Sequence, residues 1–202
     1  SQFSGLVIRT QAAGEPSHGL VIRGKTQGMR MVALKGGAVY FVLVESLPVF
    51  QTGQVLEFVK SCGPGIQHCA FHSNDLMSVV RHGREQNLPY EPMEPLAFDA
   101  TFQYLQTLPR EDREKCYSLV QQCKAEGVLI TVKKETPQLL GTLKQIFTTP
   151  LGANCPLFLE LIQRQNYEGF AEANIEALFR AKEAAVSIVF ADGIEDCTLV
   201  EK

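Results

Sequence analysis

The 202-residue sequence has no apolar run approaching the roughly 18 residues that a membrane-spanning helix requires. It also has no basic patch and no block of like charge, since 19 lysines and arginines stand against 22 acidic residues, a formal net charge of −3. These absences argue against a membrane span and against nucleic acid as a partner. The hydrophobic content of 45% is ordinary for a globular protein.

Cys-x-x-Cys pairs are absent as well, although the chain has six cysteines, at positions 62, 69, 116, 123, 155 and 197. Their irregular spacing fits neither a zinc ribbon nor a secreted disulfide scaffold, and it predicts reduced thiols in an intracellular protein. The first nine residues form neither a signal peptide nor a transit peptide. We therefore expect a cytoplasmic protein, or a mitochondrial one if a targeting segment precedes this sequence.

Short strand-like stretches outnumber helical ones along the chain. The expected strands cover 3–9, 19–23, 29–34, 38–44, 66–70, 128–133, 143–148 and 156–166, with a hairpin turn at Gly36-Gly37. The expected helices cover 55–60, 75–86 and 110–126, and a last helix begins near Asn174. Residues 187–202 have the pattern of a strand-like piece and a tail. Many strands with few interspersed helices predict an α+β fold.

The expected helices have identifiable caps and apolar faces. Ser73 or Asn74 is the predicted cap of the helix at 75–86. The predicted buried positions of that helix and of the helix at 110–126 are Leu76, Val79, Val80, Tyr117, Leu119, Val120 and Cys123.

One carboxylate stands in an otherwise apolar strand at 156–166. Alternation places Phe158, Glu160 and Ile162 on one face, and leucines occupy the other face. A buried carboxylate costs several kcal/mol, on the order of magnitude known for buried charge, unless something pairs with it. The partner of Glu160 is therefore a metal, a proton or a cation such as Arg164 or a lysine.

His68 is the second polar residue on an apolar strand face, between Ile66 and Ala70. A histidine there is often a core residue bonded to a backbone carbonyl. Histidine and glutamate are, however, the ligand types of non-haem Fe(II) oxygenases, which use two histidines and one carboxylate on one side of the metal. His72 follows on the same strand face but lies roughly 13 Å along, too far to share that metal.

Three segments together resemble the C-terminal half of the 4-hydroxyphenylpyruvate dioxygenase family. They are Gly63-Pro-Gly-Ile-Gln-His-Cys-Ala-Phe, Gln145-Ile-Phe-Thr, and residues 157–174, which read Leu-Phe-Leu-Glu-Leu-Ile-Gln-Arg-Gln-Asn-Tyr-Glu-Gly-Phe-Ala-Glu-Ala-Asn. The resemblance covers roughly residues 19–185. Val44-Glu-Ser-Leu-Pro and Gln163-Arg-Gln lean towards the animal branch of dioxygenase-like paralogues.

The resemblance implies a vicinal-oxygen-chelate fold, built from paired βαβββ modules that curl around one metal. It implies Fe(II) as cofactor and a small aromatic 2-oxo acid and dioxygen as partners. The implied reaction couples oxidative decarboxylation to hydroxylation, giving homogentisate or 4-hydroxymandelate. Of the residues that match family positions, His68 and Glu160 are implied metal ligands, and the implied substrate-binding residues are Gln54, Gln145, Phe158, Phe170 and Asn174.

The sequence departs from the family pattern in several places, among them the stretch Gly169-Phe-Ala-Glu-Ala-Asn, which has fewer glycines than the family pattern. The family's first iron-binding histidine lies on a strand ahead of where this sequence effectively begins, and His18 does not align with it. The aromatic residue expected after Asn174 is Ile175. We therefore expect an incomplete first module at 1–62, a second module with a C-terminal gating helix at 63–185, and a tail at 186–202.

Two functions follow from these features. The first is an Fe(II)-dependent dioxygenase whose third ligand comes from an upstream segment. The second is a non-catalytic homologue that acts through protein association, because an unpaired first module would expose a sheet edge and an apolar face and so favour a homo-oligomer.

Overall fold

The computed structural model describes residues 7–8, 20–36, 39–152, 156–167 and 171–192. Within these residues the chain forms two four-stranded sheets and five α-helices. The α+β prediction is therefore confirmed. The predicted boundaries at 62 and 185 stay a prediction, and the stretch before position 7 and the tail after 192 lie outside the described residues.

The first sheet comes from the first 46 residues and is centred on one long strand. Its strands are β1 (Val7–Ile8), β2 (Leu20–Arg23), β3 (Gly28–Gly36) and β4 (Val39–Ser46). The predicted hairpin is confirmed, since β3 and β4 pair antiparallel from Met29↔Ser46 to Gly36↔Val39. One face of this sheet buries Ile22, Met29 and Met31.

The second sheet carries the residues of chemical interest. Its strands are β5 (His68–His72), β6 (Leu129–Thr136), β7 (Leu139–Phe147) and β8 (Phe158–Gln165), in the order β5-β8-β7-β6. β5 and β8 are parallel, and the other pairs are antiparallel. The predicted strands at 66–70, 128–133, 143–148 and 156–166 are thus all present, with shifted ends.

Helices cover one face of the second sheet and form the main core. They are α2 (Leu76–Glu85), α3 (Asp99–Thr107) and α4 (Arg110–Ala125), with a 3₁₀ turn at Pro95–Phe98. The first helix, α1 (Gln54–Cys62), instead packs against the core of the first sheet through Val55. The main core joins helical residues such as Leu76, Leu105 and Val120 to Ile130 and Ile146 of the second sheet. Burying such side chains is worth about 1.5–3 kcal/mol each, so this layer supplies much of the stability.

Several details of the helices differ from the predictions. Asp75, rather than Ser73 or Asn74, caps α2, because its carboxylate accepts hydrogen bonds from the backbone and the hydroxyl of Ser78, which also lower the pKa of Asp75. In α2 and α4 the buried faces turn slightly from the predicted ones. Val79 and Tyr117 are exposed, while the neighbouring Met77 and Cys116 are buried.

The last helix, α5 (Glu172–Asp192), reaches further than predicted. The strand-like expectation is wrong for residues 187–192, which continue the helix, while the rest of that segment lies outside the described residues. Phe179 of α5 packs against the core of the first sheet, and Ala181 packs against the core of the second. Among the described helices, α5 included, none is long and apolar enough to cross a membrane.

Tyr90 carries the one buried side-chain polar atom without a hydrogen-bond partner in the described part of the chain. Burial raises the pKa of Tyr90, against the opposing effect of Arg84, whose guanidinium lies 5.8 Å from the ring centre. We expect Tyr90→Phe to raise the free energy of unfolding by about 1 kcal/mol, since an unsatisfied buried hydroxyl is costly. Chemical denaturation measures this change.

A matched control for Tyr90 is available in Tyr104. Its hydroxyl accepts a hydrogen bond from the backbone N–H of Lys134 at 3.0 Å. Tyr104→Phe should therefore lower the free energy of unfolding by about 1 kcal/mol, the opposite sign. A loss of stability of the same size in both variants would contradict the assignment of Tyr90 as an unsatisfied group.

Four of the six cysteines are described, and all four are free thiols: Cys62 and Cys69 are exposed, and Cys116 and Cys123 are buried. Burial raises the pKa of Cys123 to about 11 and also raises that of Cys116. Because the thiolate is the reactive form, a thiol reagent at pH 8 should label Cys62 and Cys69 and should reach the buried pair only on unfolding. Peptide mass spectrometry measures each site, and labelling of Cys123 at the rate of Cys62 in the folded chain would contradict this order.

Candidate metal centre

The parallel pairing of β5 with β8 brings His68 and Glu160 together. In this register His68 lies beside Phe158, and Ala70 lies beside Glu160. Because side chains two residues apart point the same way along a strand, His68 and Glu160 share one face of the sheet. The Nε2 atom of His68 lies 3.5 Å from Oε2 of Glu160, and the two side chains are 36% and 8% exposed.

Gln145 holds the other oxygen of the Glu160 carboxylate. Its Nε2 donates a hydrogen bond to Oε1 of Glu160 at 2.5 Å, and both residues are buried. A hydrogen bond to an ionised acceptor is about twice as strong as a neutral one, so this contact offsets part of the cost of burying the carboxylate. Oε2 is left facing His68 at the partly exposed edge of the cluster.

Two aromatic rings lie beside the imidazole of His68. The ring of Phe158 stacks on it with centroids 4.9 Å apart and an interplanar angle of 13°. Phe147 lies edge-on to both rings, with centroid distances of 6.5 Å to His68 and 6.0 Å to Phe158. These rings hold the orientation of the imidazole and provide an apolar surface beside the carboxylate.

Hydrogen bonds extend the cluster away from the pair, into the start of α5. Asn174 Nδ2 donates to Oε1 of Gln145 at 2.5 Å, and the hydroxyl of Thr131 donates to Oδ1 of Asn174. Asn174 is 1% exposed, so these bonds satisfy an amide that has almost no access to water.

The remaining residues implied by the resemblance lie apart from the cluster or outside the described structure. Gln54 is the first residue of α1, is exposed, and makes no hydrogen bond to the described cluster residues. Phe170 and His18 lie outside the described residues.

Sequence reasoning missed two members of the cluster, Phe147 and Thr131. Phe147 is two residues from Gln145 on the same strand, so alternation alone places both side chains on one face. Thr131 is the polar residue within the apolar start of β6, between Ile130 and Val132. A search for polar residues within apolar strands would have flagged it, as it flagged Glu160.

His68 and Glu160 together fit two adjacent ligands of one first-row metal. Metal–ligand bonds of roughly 2.0–2.2 Å place two neighbouring ligand atoms roughly 3 Å apart, close to the separation here. Gln145 supplies the hydrogen bond from outside the ligand set that such carboxylates usually receive. Over the described ranges, no group of three histidine, cysteine, aspartate or glutamate side chains converges as a metal site.

Comparison with known proteins identifies relatives of this chain. The chain is 32% identical to 4-hydroxyphenylpyruvate dioxygenase from Legionella pneumophila over 166 residues, which is 80% of this chain and 43% of that protein. It is 30% identical to the enzyme of the same name from Neurospora crassa over 159 residues, 76% of this chain and 36% of that protein. No protein-family profile matches the chain.

A solved structure shares the fold. The chain superposes on a triple mutant of 4-hydroxymandelate synthase from Streptomyces coelicolor with a TM-score of 0.65 and 28% identity, covering 83% of this chain and 45% of that one. The fold is accordingly a vicinal-oxygen-chelate fold, as the resemblance implied. The chain spans less than half the length of each of these relatives. Over that span, sequence and fold together show that the chain belongs to the 4-hydroxyphenylpyruvate dioxygenase family.

Proposed function

We propose that the chain forms the iron-binding part of an Fe(II)-dependent dioxygenase that acts on a 4-hydroxyphenylpyruvate-type 2-oxo acid. The observation that carries this proposal is the pair of His68 and Glu160, 3.5 Å apart, with the carboxylate held by Gln145. The names of the relatives support a dioxygenase or a hydroxymandelate synthase, so the expected product is homogentisate or 4-hydroxymandelate.

In this proposal His68 Nε2 and Glu160 Oε2 hold the iron. When bound, Fe(II) supplies the open coordination positions and the redox chemistry that the oxidation of a 2-oxo acid by dioxygen requires. No third ligand joins the pair within the described residues, so the third ligand of the family's triad comes from outside them.

The other side chains orient the substrate and exclude water. Phe158 and Phe147 offer ring faces and edges for an aromatic substrate beside the ligand pair. Gln145 uses one of its two amide hydrogens on Glu160 and has a second to give to a substrate oxygen. Asn174, at the start of the gating helix α5, is also a substrate-binding residue in this proposal. Gln54 and Phe170 are the remaining substrate-binding residues that the resemblance implies.

The test is an anaerobic Fe(II) titration followed by oxygen uptake with 4-hydroxyphenylpyruvate. Metal at a hundred times its dissociation constant stabilises a protein by about 2.7 kcal/mol, which at this chain length raises the melting temperature by roughly 5–10 °C. Chromatography of the product separates ring hydroxylation from benzylic hydroxylation. If neither this chain nor a version extended to the length of its relatives shows a metal shift or uptake, the proposal fails.

A non-catalytic role in protein association is the second candidate, and β4 is the observation that favours it. This strand pairs only with β3 among the described strands, and it exposes Val39, Phe41 and Leu43 on one face. An apolar face on a strand at the edge of a sheet favours pairing with another copy of the chain. Sedimentation velocity would then show a stable oligomer without metal-dependent stabilisation, whereas a monomer would count against this role.

A further inference from the structure

Hydrogen bonds join four buried polar side chains into one continuous row that ends at Glu160. They lie on four different elements, and the row runs from Thr131 on β6 through Asn174 on α5 and Gln145 on β7 to Glu160 on β8. Each is between 1% and 8% exposed, so water cannot readily replace a lost contact. We call these four residues the amide relay.

The hydrogen bonds of the amide relay all run the same way, with each donor further from the carboxylate than its acceptor. Gln145 turns its NH₂ group towards Glu160, whose carboxylate oxygen accepts. The oxygen of Gln145 then faces Asn174 and needs a donor, which the NH₂ group of Asn174 supplies. The oxygen of Asn174 in turn faces Thr131, whose hydroxyl donates to it.

Thr131 supplies the hydrogen-bond donor at the far end of the relay. A hydroxyl can donate to the oxygen of Asn174, whereas a methyl group in its place cannot. Without that donor, the buried oxygen of Asn174 has no partner at this position, and turning the amide by 180° does not help, because it would place that oxygen against the oxygen of Gln145. Asn174 is then held less firmly, and so is the Gln145 amide that bonds to the Glu160 carboxylate.

We propose that Thr131 is a positioning residue: its hydroxyl holds the amide of Asn174 in place and, through the amide relay, keeps the Glu160 carboxylate oriented towards His68. Asn174 is the third residue of α5, so the same relay ties the start of this helix to the strand that carries Glu160. The orientation holds in the metal-free chain. Its effect on metal affinity rests on the function proposed above.

The central variant is Thr131→Val, which replaces the hydroxyl with a methyl group of nearly the same size. Thr131→Ser retains the hydroxyl and should behave as the unaltered chain. Thr142→Val is the matched control, because Thr142 is also 8% exposed but lies on the opposite face of the same sheet. If Thr131→Val is insoluble, Thr131→Ala removes the same hydroxyl and takes its place.

The first measurement uses the 202-residue chain without metal. Nitrogen-15 NMR follows the side-chain NH₂ signals of Asn174 and Gln145, which should exchange slowly with water because both groups are buried and bonded. In Thr131→Val both pairs of signals should shift and exchange faster, while Thr131→Ser and Thr142→Val leave them in place. Unchanged signals in Thr131→Val would overturn the proposal.

The second measurement adds Co(II) as a spectroscopic probe of the ligand pair. Changes to the groups that hold metal ligands cost about 10–100-fold in affinity, and we expect that loss for Thr131→Val with a changed visible spectrum. An unaltered spectrum and affinity in Thr131→Val would overturn the orienting role. If the unaltered chain binds no Co(II), that result counts against the proposed function. The NMR signals of the metal-free chain still test the role of Thr131 on their own.

Discussion

Replacing Glu160 with glutamine should abolish the metal-dependent stabilisation of the chain and leave its fold intact. Glutamine has the shape of glutamate, and its side-chain oxygen can still accept the hydrogen bond from Gln145. It lacks the negative charge of the carboxylate ligand that non-haem Fe(II) sites use. Substitution of residues that hydrogen-bond to metal ligands already costs about 10–100-fold in metal affinity. Loss of the ligand itself should therefore cost more than about 100-fold. Fe(II) should then no longer raise the melting temperature.

In the metal-free chain, the same substitution should not lower the free energy of unfolding. The carboxylate of Glu160 is buried, and a neutral amide is less costly to bury than an ionised group. Metal-free Glu160→Gln should therefore be at least as stable as the unaltered chain. Glu160→Ala should be about 1–3 kcal/mol less stable than Glu160→Gln, because it leaves the amide of Gln145 without its acceptor. Undiminished Fe(II) affinity in Glu160→Gln would exclude Glu160 as a ligand.

The largest expected effect on stability comes from Phe98→Ala. Phe98 is 1% exposed, belongs to the 3₁₀ turn before α3, and lies in the main core with Leu105 and Val120. Removing a buried phenylalanine side chain costs about 3–5 kcal/mol through lost transfer free energy and the cavity left behind. That loss is a large part of the roughly 5–15 kcal/mol that stabilises a typical domain. Urea denaturation should show a much lower midpoint.

Leu96 offers the control for this prediction, because it lies in the same turn and is 47% exposed. Leu96→Ala should change the free energy of unfolding by no more than about 0.5 kcal/mol, as is usual for surface positions. Comparable losses in Phe98→Ala and Leu96→Ala would mean that the turn itself, and not the buried ring, provides the stability.

Alternation predicted the strand of Glu160 correctly because the signal is local. A period of two residues is visible within β8 alone, and a carboxylate in an apolar run shows as an exception. The meeting of His68 with Glu160 is different, since it depends on the pairing of β5 with a strand far along the chain. No local pattern contains that register, and only the family resemblance suggested it.

Local patterns also failed where tertiary packing decided the structure. The helix α3 was not predicted, because it follows a proline-rich stretch and buries only Thr101 and Leu105. The end of α5 contains Val186, Ile188 and Val189, whose β-branched side chains favour strands. The helix continues through them because extending a formed helix costs much less than starting one. Thr131 escaped notice because its role depends on an amide that belongs to a different element.

Anaerobic calorimetric titration of Fe(II) tests the central claim, that His68 and Glu160 bind one metal ion together. The set comprises the unaltered chain, His68→Ala, Glu160→Gln and the double variant. Two ligands of one ion act as a unit, so the double variant should lose hardly more affinity than the more severe single variant. Losses that add in the double variant, or single variants that bind Fe(II) as well as the unaltered chain, would contradict a shared metal site.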